Sequence, residues 1–165
     1  MQSNKIMRTL LVIASLLVLI GILMTVWILI QKRDEDIIKV QLSDGETEVI
    51  KFDALNLLPG DSCEYIIELK NDSSHKCSLS LDFVDVDEKK TLKNYAHVKI
   101  IANGAVVYDD LLATAFENDS IVLPVDFAKS TNTELKLVYY LPLEVGNEAK
   151  NAEAVFEVLI TASNE

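Results

Sequence analysis

The sequence predicts an all-β domain, a Greek-key or jelly-roll sandwich of about eight or nine strands, preceded by one membrane-crossing helix. Three observations carry this reading. Residues 9–30 form a run of 22 without a charge, nearly all Leu, Ile, Val, Met or Ala. From Ile37 onward, apolar and polar residues alternate at period two in short stretches broken by turn residues. No long stretch of helical periodicity competes; only residues 111–118 (LLATAFEN) suit a short helical turn.

The apolar run comes first. At about 1.5 Å per residue, a helix over 9–30 reaches roughly 33 Å, enough to cross a hydrocarbon core of about 30 Å. A helix apolar on every side has no face to offer water, and Gly21 is tolerated in a membrane span. Trp27 suits the interfacial aromatic belt. The exit from the run, Met24 to Gln31, holds no small-x-small pair for a signal peptidase. The expectation is therefore an uncleaved signal-anchor with residues 1–8 as a cytoplasmic stub and residues 31–36 (QKRDED) as a short charged joint. That leaves residues 37–165 as the extracytoplasmic sandwich, in a single-pass protein of the cell membrane.

The strands follow in order. Ile38, Val40 and Leu42 alternate before Ser43-Asp44-Gly45, which reads as a hairpin turn, with Thr47 to Phe52 as the returning strand. Leu58-Pro59-Gly60-Asp61 is the next turn. Tyr65, Ile67 and Leu69 then share one face of a strand that ends at Asn71-Asp72-Ser73-Ser74, and Cys77, Leu79, Leu81 and Phe83 repeat the pattern. Val98, Ile100 and Ala102 lead into Asn103-Gly104, and Val106 and Tyr108 return. The clearest strands are the last two, with Leu135, Leu137, Tyr139 and Leu141 on one face, then Ala154, Phe156, Val158, Ile160 and Ala162.

Charge and motifs limit the function. All 26 acidic residues lie from Asp34 onward beside 11 of the 15 basic ones, a net −15, whereas residues 1–33 carry +4. Phosphate-rich partners carry the same sign as the domain, so no nucleic-acid binding is expected. There is no G-x-S-x-G, no H-E-x-x-H and no phosphate-binding glycine loop. The two histidines, His75 in a turn and His97 on the solvent side of a strand, lack the spacing of zinc ligands. No enzyme and no cofactor is expected. If residues 62–70 and 76–84 form a hairpin, Cys63 and Cys77 stand roughly 20 Å apart along it and remain free thiols. The run Asp82, Asp85, Asp87 and Glu88 is the candidate calcium site, since that ion favours oxygen ligands. Asn71-Asp72-Ser73 and Asn118-Asp119-Ser120 match the glycosylation sequon and are equally good turns.

Two stretches resemble a family. Leu58-Pro59-Gly60-Asp61, the strand with Tyr65, Ile67 and Leu69, and Lys70-Asn71-Asp72 are similar to an element near the start of the TasA/camelysin-like surface proteins of Gram-positive bacteria. The closing Leu141-Pro142-Leu143-Glu144-Val145-Gly146-Asn147-Glu148-Ala149-Lys150-Asn151, with the strand ending Thr161-Ala162-Ser163-Asn164, resembles their terminal hairpin. The resemblance implies an exported jelly-roll sandwich with a role in surface matrix or fibre assembly. Some members are credited with metalloprotease activity, for which this sequence offers no ligand set. The missing cleavage site departs from the family's usual release.

These readings converge on a non-enzymatic, membrane-anchored surface protein with a structural or protein-interaction role, other envelope proteins as partners, and a monomeric or small lateral assembly. The alternative is an extracytoplasmic module that binds a small ligand or calcium. Protease added to intact protoplasts is expected to remove residues 37–165 and spare the stub. A soluble mature form starting beyond Ile30 would contradict the anchor.

Overall fold

The computed structural model describes Val18, Ile20, Gly21, Met24 and residues 37–164. Those first four residues are helical. The rest of the expected stub, anchor helix and joint lies outside the described residues. No helix among the described residues is long and apolar enough to cross a membrane. Contacts divide the chain at Ile37/Ile38, and the second unit is the β domain.

Nine strands make that unit: β1 (Ile37–Leu42), β2 (Thr47–Leu55), β3 (Ser62–Asn71), β4 (Cys77–Asp85), β5 (His97–Ala102), β6 (Ala105–Leu111), β7 (Ile121–Phe127), β8 (Asn132–Tyr140) and β9 (Ala154–Asn164). A short helix α1 (Leu112–Glu117) follows β6, where the sequence suggested one turn. Two sheets form, in the orders β1-β3-β8-β5-β6 and β2-β9-β4-β7. Alternation becomes packing directly. Leu135, Leu137 and Tyr139 of β8 are fully buried, as are Val158, Ile160 and Ala162 of β9, with Phe156 nearly so. Their odd or even neighbours face outward, as a two-layer sandwich requires.

The sequence misjudged the connections. Ser43–Gly45 is a true turn, with Gly45 at φ +78°, but it is not a hairpin: β1 and β2 belong to different sheets. The same holds for β3 and β4, read as a hairpin across 71–75. Only β5 and β6 form the expected hairpin, through Asn103 (φ +47°) and Gly104 (φ +82°). Every other connection crosses from sheet to sheet. Period two reports which side of a strand is buried and says nothing about which strand lies beside it. β7 escaped notice because Pro124 interrupts it; Pro lacks an N–H, and β7 is an edge strand, where that loss is tolerated.

The free thiols survive the correction for a different reason. Cys63 pairs with Tyr139 near the start of β3, while Cys77 opens β4 in the other sheet, after β3 has run the length of the sandwich. Eight residues of strand separate Cys63 from Asn71, about 26 Å. Both cysteines are free, Cys77 buried and Cys63 half-buried. Burial pushes the Cys63 thiol up, partly offset by hydrogen bonds to the Tyr65 side chain and the Tyr139 backbone.

Aromatic rings fill the middle of the interlayer. Phe52 stacks on Phe156 (4.9 Å), and Tyr139 meets Phe52, Phe156 and Tyr65 edge-on at 5.4, 5.3 and 5.9 Å. Such contacts add to the area term for large buried rings. Yet the Tyr139 hydroxyl is buried without a hydrogen-bond partner, and burial drives its pKa well above the ordinary value. An unpaired buried polar group costs about 1–3 kcal/mol. Tyr139→Phe is therefore expected to raise unfolding stability by about 1 kcal/mol in a denaturant titration. A loss of stability of that size would mean that the hydroxyl has a partner.

Candidate functional site

The chemistry-bearing side chains gather at one end of the sandwich, and Asn71 builds that end. It is the last residue of β3 and fully buried, an unusual setting for an amide. Its Nδ2 donates to the carbonyls of Phe127 (2.6 Å) and His75 (3.0 Å), and its Oδ1 accepts from the Ser73 N–H (2.8 Å). The Ser73 hydroxyl lies 2.6 Å from both that Oδ1 and the His75 carbonyl. The Asn71 backbone also binds Thr131 O and Ser130 N. One side chain thus fixes the path of 72–76 and joins it to the end of β7 and the approach to β8. Asn71 is consequently no accessible glycosylation acceptor, whereas Asn118 is exposed and donates to Tyr108 Oη at 3.3 Å.

The β1–β2 turn docks beside this connection. The Asp72 N–H donates to Leu42 O (2.9 Å), and Gly45 N–H donates to Ala162 O of β9 (2.8 Å). Ser43 N–H is capped by Glu46 Oε2 at 2.7 Å. The two turns therefore stand side by side and bring Asp44, His75 and Cys77 together. Their ligating atoms all lie within 4.8 Å of one another. Asp44 Oδ2 is 3.4 Å from His75 Nε2, and Ser74 Oγ is 3.2 Å from His75 Nδ1. The Cys77 sulfur, on a fully buried residue, lies 3.4 Å from Ser73 Oγ. Asp44 and His75 are exposed.

This trio was invisible in the sequence, where His75 stood alone in a turn. The signal that could have found it is His75-x-Cys77, a two-residue spacing across the entry to a strand. Asp44, thirty-one residues earlier, comes near only because β1 and β3 are neighbours in one sheet.

The calcium candidates are placed differently. Asp82 lies half-buried on β4, and Asp85 at the end of β4 is engaged by the Lys93 ammonium, which also reaches Glu88 O at 3.4 Å. Asp87 Oδ1 accepts from the Lys89 N–H at 3.2 Å, and Glu88 is exposed. Among the described residues, the grouping of three potential ligand atoms is Asp44, His75 and Cys77, and the acidic run contributes nothing to it.

His97 occupies the outer face of the five-stranded sheet, as parity required. It stacks on Tyr140 (5.1 Å), whose hydroxyl donates to Asp109 Oδ1 (2.8 Å), and Lys99 completes the group at 3.0 Å from Asp109. Partial burial pushes the Asp109 carboxyl up, but the hydrogen bonds from Lys99 and Tyr140 prevail and hold it below its usual value.

No family model matches the chain, and no curated protein matches it. Among solved structures, it is similar to the CUB1-EGF-CUB2 domains of rat MASP-1, at 12% identity and a TM-score of 0.44. That likeness covers 77% of this chain and spans only 43% of the other. It is also similar to PliG of Aeromonas hydrophila, a periplasmic inhibitor of g-type lysozyme, at 9% identity and a TM-score of 0.35, covering 78% of this chain and 98% of that one.

Removing the amide at position 71 tests the construction of this end. Asn71→Ala leaves two carbonyls and one N–H without their partner. It is expected to cost about 2–4 kcal/mol by chemical denaturation, with lost hydrogen-exchange protection concentrated in 72–76. Uniform loss across both sheets would show that Asn71 does not organise the turn.

Proposed function

We propose that the protein is a single-pass, membrane-anchored component of a Gram-positive envelope, and that its sandwich works without catalysis, by contact with other envelope proteins. One observation carries the reading: a charge-free run of 22 residues, long enough to span a bilayer, precedes a β domain that holds 23 of the 26 acidic residues, the other three lying in the joint. In this reading residues 1–8 are cytoplasmic, 9–30 cross the membrane and 37–165 lie outside. The short joint keeps the domain within roughly 20 Å of the bilayer. The finer architecture is a Greek-key sandwich of the TasA/camelysin-like kind. In support, the two stretches that carry the resemblance adjoin in space: Gly60 N–H donates to Leu141 O (2.8 Å), and Leu141 N–H to Asp61 O (3.0 Å).

The mode of contact follows from the edges. β1 and β6 bound one sheet, β2 and β7 the other. An unpaired edge is a template for strand addition unless something spoils it. Pro124 spoils β7, and the break in register between Ile100 and Ile101 spoils β6 with a bulge. The break in register between Phe52 and Leu55 does the same to β2, which leaves β1. Because β1 directly follows the joint, a second chain that adds there is tethered to the same membrane, which favours small lateral assemblies over filaments.

The test compares full-length protein in detergent with the domain cut after Asp36, by light scattering and electron microscopy. Full-length protein is expected as monomers or small oligomers. A photo-crosslinker at Lys39 on β1 is expected to give discrete protein adducts in intact cells, and one at Val122 on β7 none. Long filaments of the anchored form, or adducts independent of the edge, would overturn the reading.

A further inference from the structure

We propose that Asp44, His75 and Cys77 bind one thiophilic divalent cation, and that zinc(II) is the ion whose chemistry fits them. The donor set decides the class of ion. A sulfur, an imidazole nitrogen and a carboxylate oxygen are borderline-to-soft ligands, the mixture that zinc accepts, whereas calcium and magnesium call for oxygen alone. A thiolate and a carboxylate also balance the two positive charges, and the imidazole ligates as the neutral base.

Geometry agrees. Two ligands about 2.0–2.1 Å from a tetrahedral zinc stand about 3.3 Å apart. Asp44 Oδ2 and His75 Nε2 are 3.4 Å apart already. An imidazole nitrogen and a thiolate on the same ion stand about 3.6 Å apart, given a zinc–sulfur bond of about 2.3 Å. The sulfur lies no more than 4.8 Å from a ring nitrogen of His75 and a carboxylate oxygen of Asp44, so rotation of these two exposed side chains closes that edge. The neighbours also suit a metal centre. Ser74 Oγ holds His75 Nδ1 at 3.2 Å, which turns Nε2 toward Asp44, the outer-shell contact that ligating histidines use. The Ser73 hydroxyl, whose proton goes to Asn71 Oδ1 or the His75 carbonyl, stands 3.4 Å from the sulfur.

The three positions are also held apart from metal. Cys77 is pinned by its register with Asn164 and Phe127 at the start of β4, His75 by the Asn71 amide on its carbonyl, and the Asp44 turn by Gly45 on Ala162. Two ligands are exposed and one is buried, so the ion enters from solvent, and water fills its fourth position. On binding, the Cys77 S–H bond gives way to a sulfur–metal bond and the proton leaves to solvent; no oxidation state changes. The ion then clips the β1–β2 turn to the β3–β4 connection. This assignment does not depend on the envelope role.

The test uses full-length protein in detergent, stripped with a chelator and titrated with cobalt(II) at neutral pH. One cobalt per chain is expected, with a thiolate charge-transfer band in the near ultraviolet that zinc abolishes by displacement. Calorimetry of zinc binding in buffers of different ionisation enthalpy is expected to report proton release. Cys77→Ser is expected to remove the band, while Asp44→Asn and His75→Ala, at exposed turn positions, each weaken zinc at least about tenfold. Cys63→Ala changes nothing. The Asp44→Asn/His75→Ala double variant keeps the buried cysteine, so it remains informative if Cys77→Ser does not fold. Absence of stoichiometric cobalt, a band that follows Cys63, or unchanged zinc affinity in the double variant would each overturn the site.

Discussion

The two strands on which both sheets depend are the last two in the chain. β8 is the middle strand of one sheet, with β3 and β5 on either side, and β9 lies inside the other, between β2 and β4. Their facing residues, Tyr139 and Phe156, meet at 5.3 Å in the centre of the interlayer. Until β8 and β9 arrive, β1 and β3 have no bond to β5 and β6, and β2 has none to β4. The apolar faces of the first seven strands can therefore collapse but cannot be arranged. Pairings of this kind lie far apart in sequence, and the loop-closure entropy that they cost precedes the contacts that repay it, so folding is slow for the size of the domain.

The outer faces carry a different kind of order. Lys51 meets Glu157 directly across β2 and β9 (3.1 Å), Lys99 meets Asp109 across β5 and β6 (3.0 Å), and Lys136 reaches Glu64 diagonally (2.7 Å). Exposed pairs contribute little stability, typically under about 1 kcal/mol. Their value is in register, because a one-residue slip would set each lysine beside the wrong neighbour and turn the buried face outward. The acidic surplus that remains keeps the surface soluble and raises the local concentration of cations around the domain.

Faces were legible in the sequence and neighbours were not. Alternation located the buried side of β3, β4, β5, β8 and β9, and Gly45, Gly60 and Gly104 marked real turns, each at positive φ. What alternation lacks is any record of partners. β1–β2 and β3–β4 read as hairpins because their turn residues suit a hairpin, while the burial of both faces of the interlayer requires the chain to change sheets instead. The candidate site was lost through the same gap. Asp44 and His75 lie in separate turns, and only the adjacency of β1 and β3, a property of the whole sheet, sets those turns side by side. Asn71 reads as the start of a turn, but it is the buried last residue of β3, and no local pattern reveals that for an amide.

The topology also explains how Cys77 stays a free thiol beside a second cysteine in the same domain. A disulfide needs Cα atoms within about 7 Å. Cys63 enters β3 at the far end of the sandwich, and the strand must run its full length before the chain turns at Asn71 and reaches Cys77. No repacking short of unfolding brings the two together. Burial protects Cys77 on its other side, since a sulfur without solvent exposure is shielded from external thiols and oxidants.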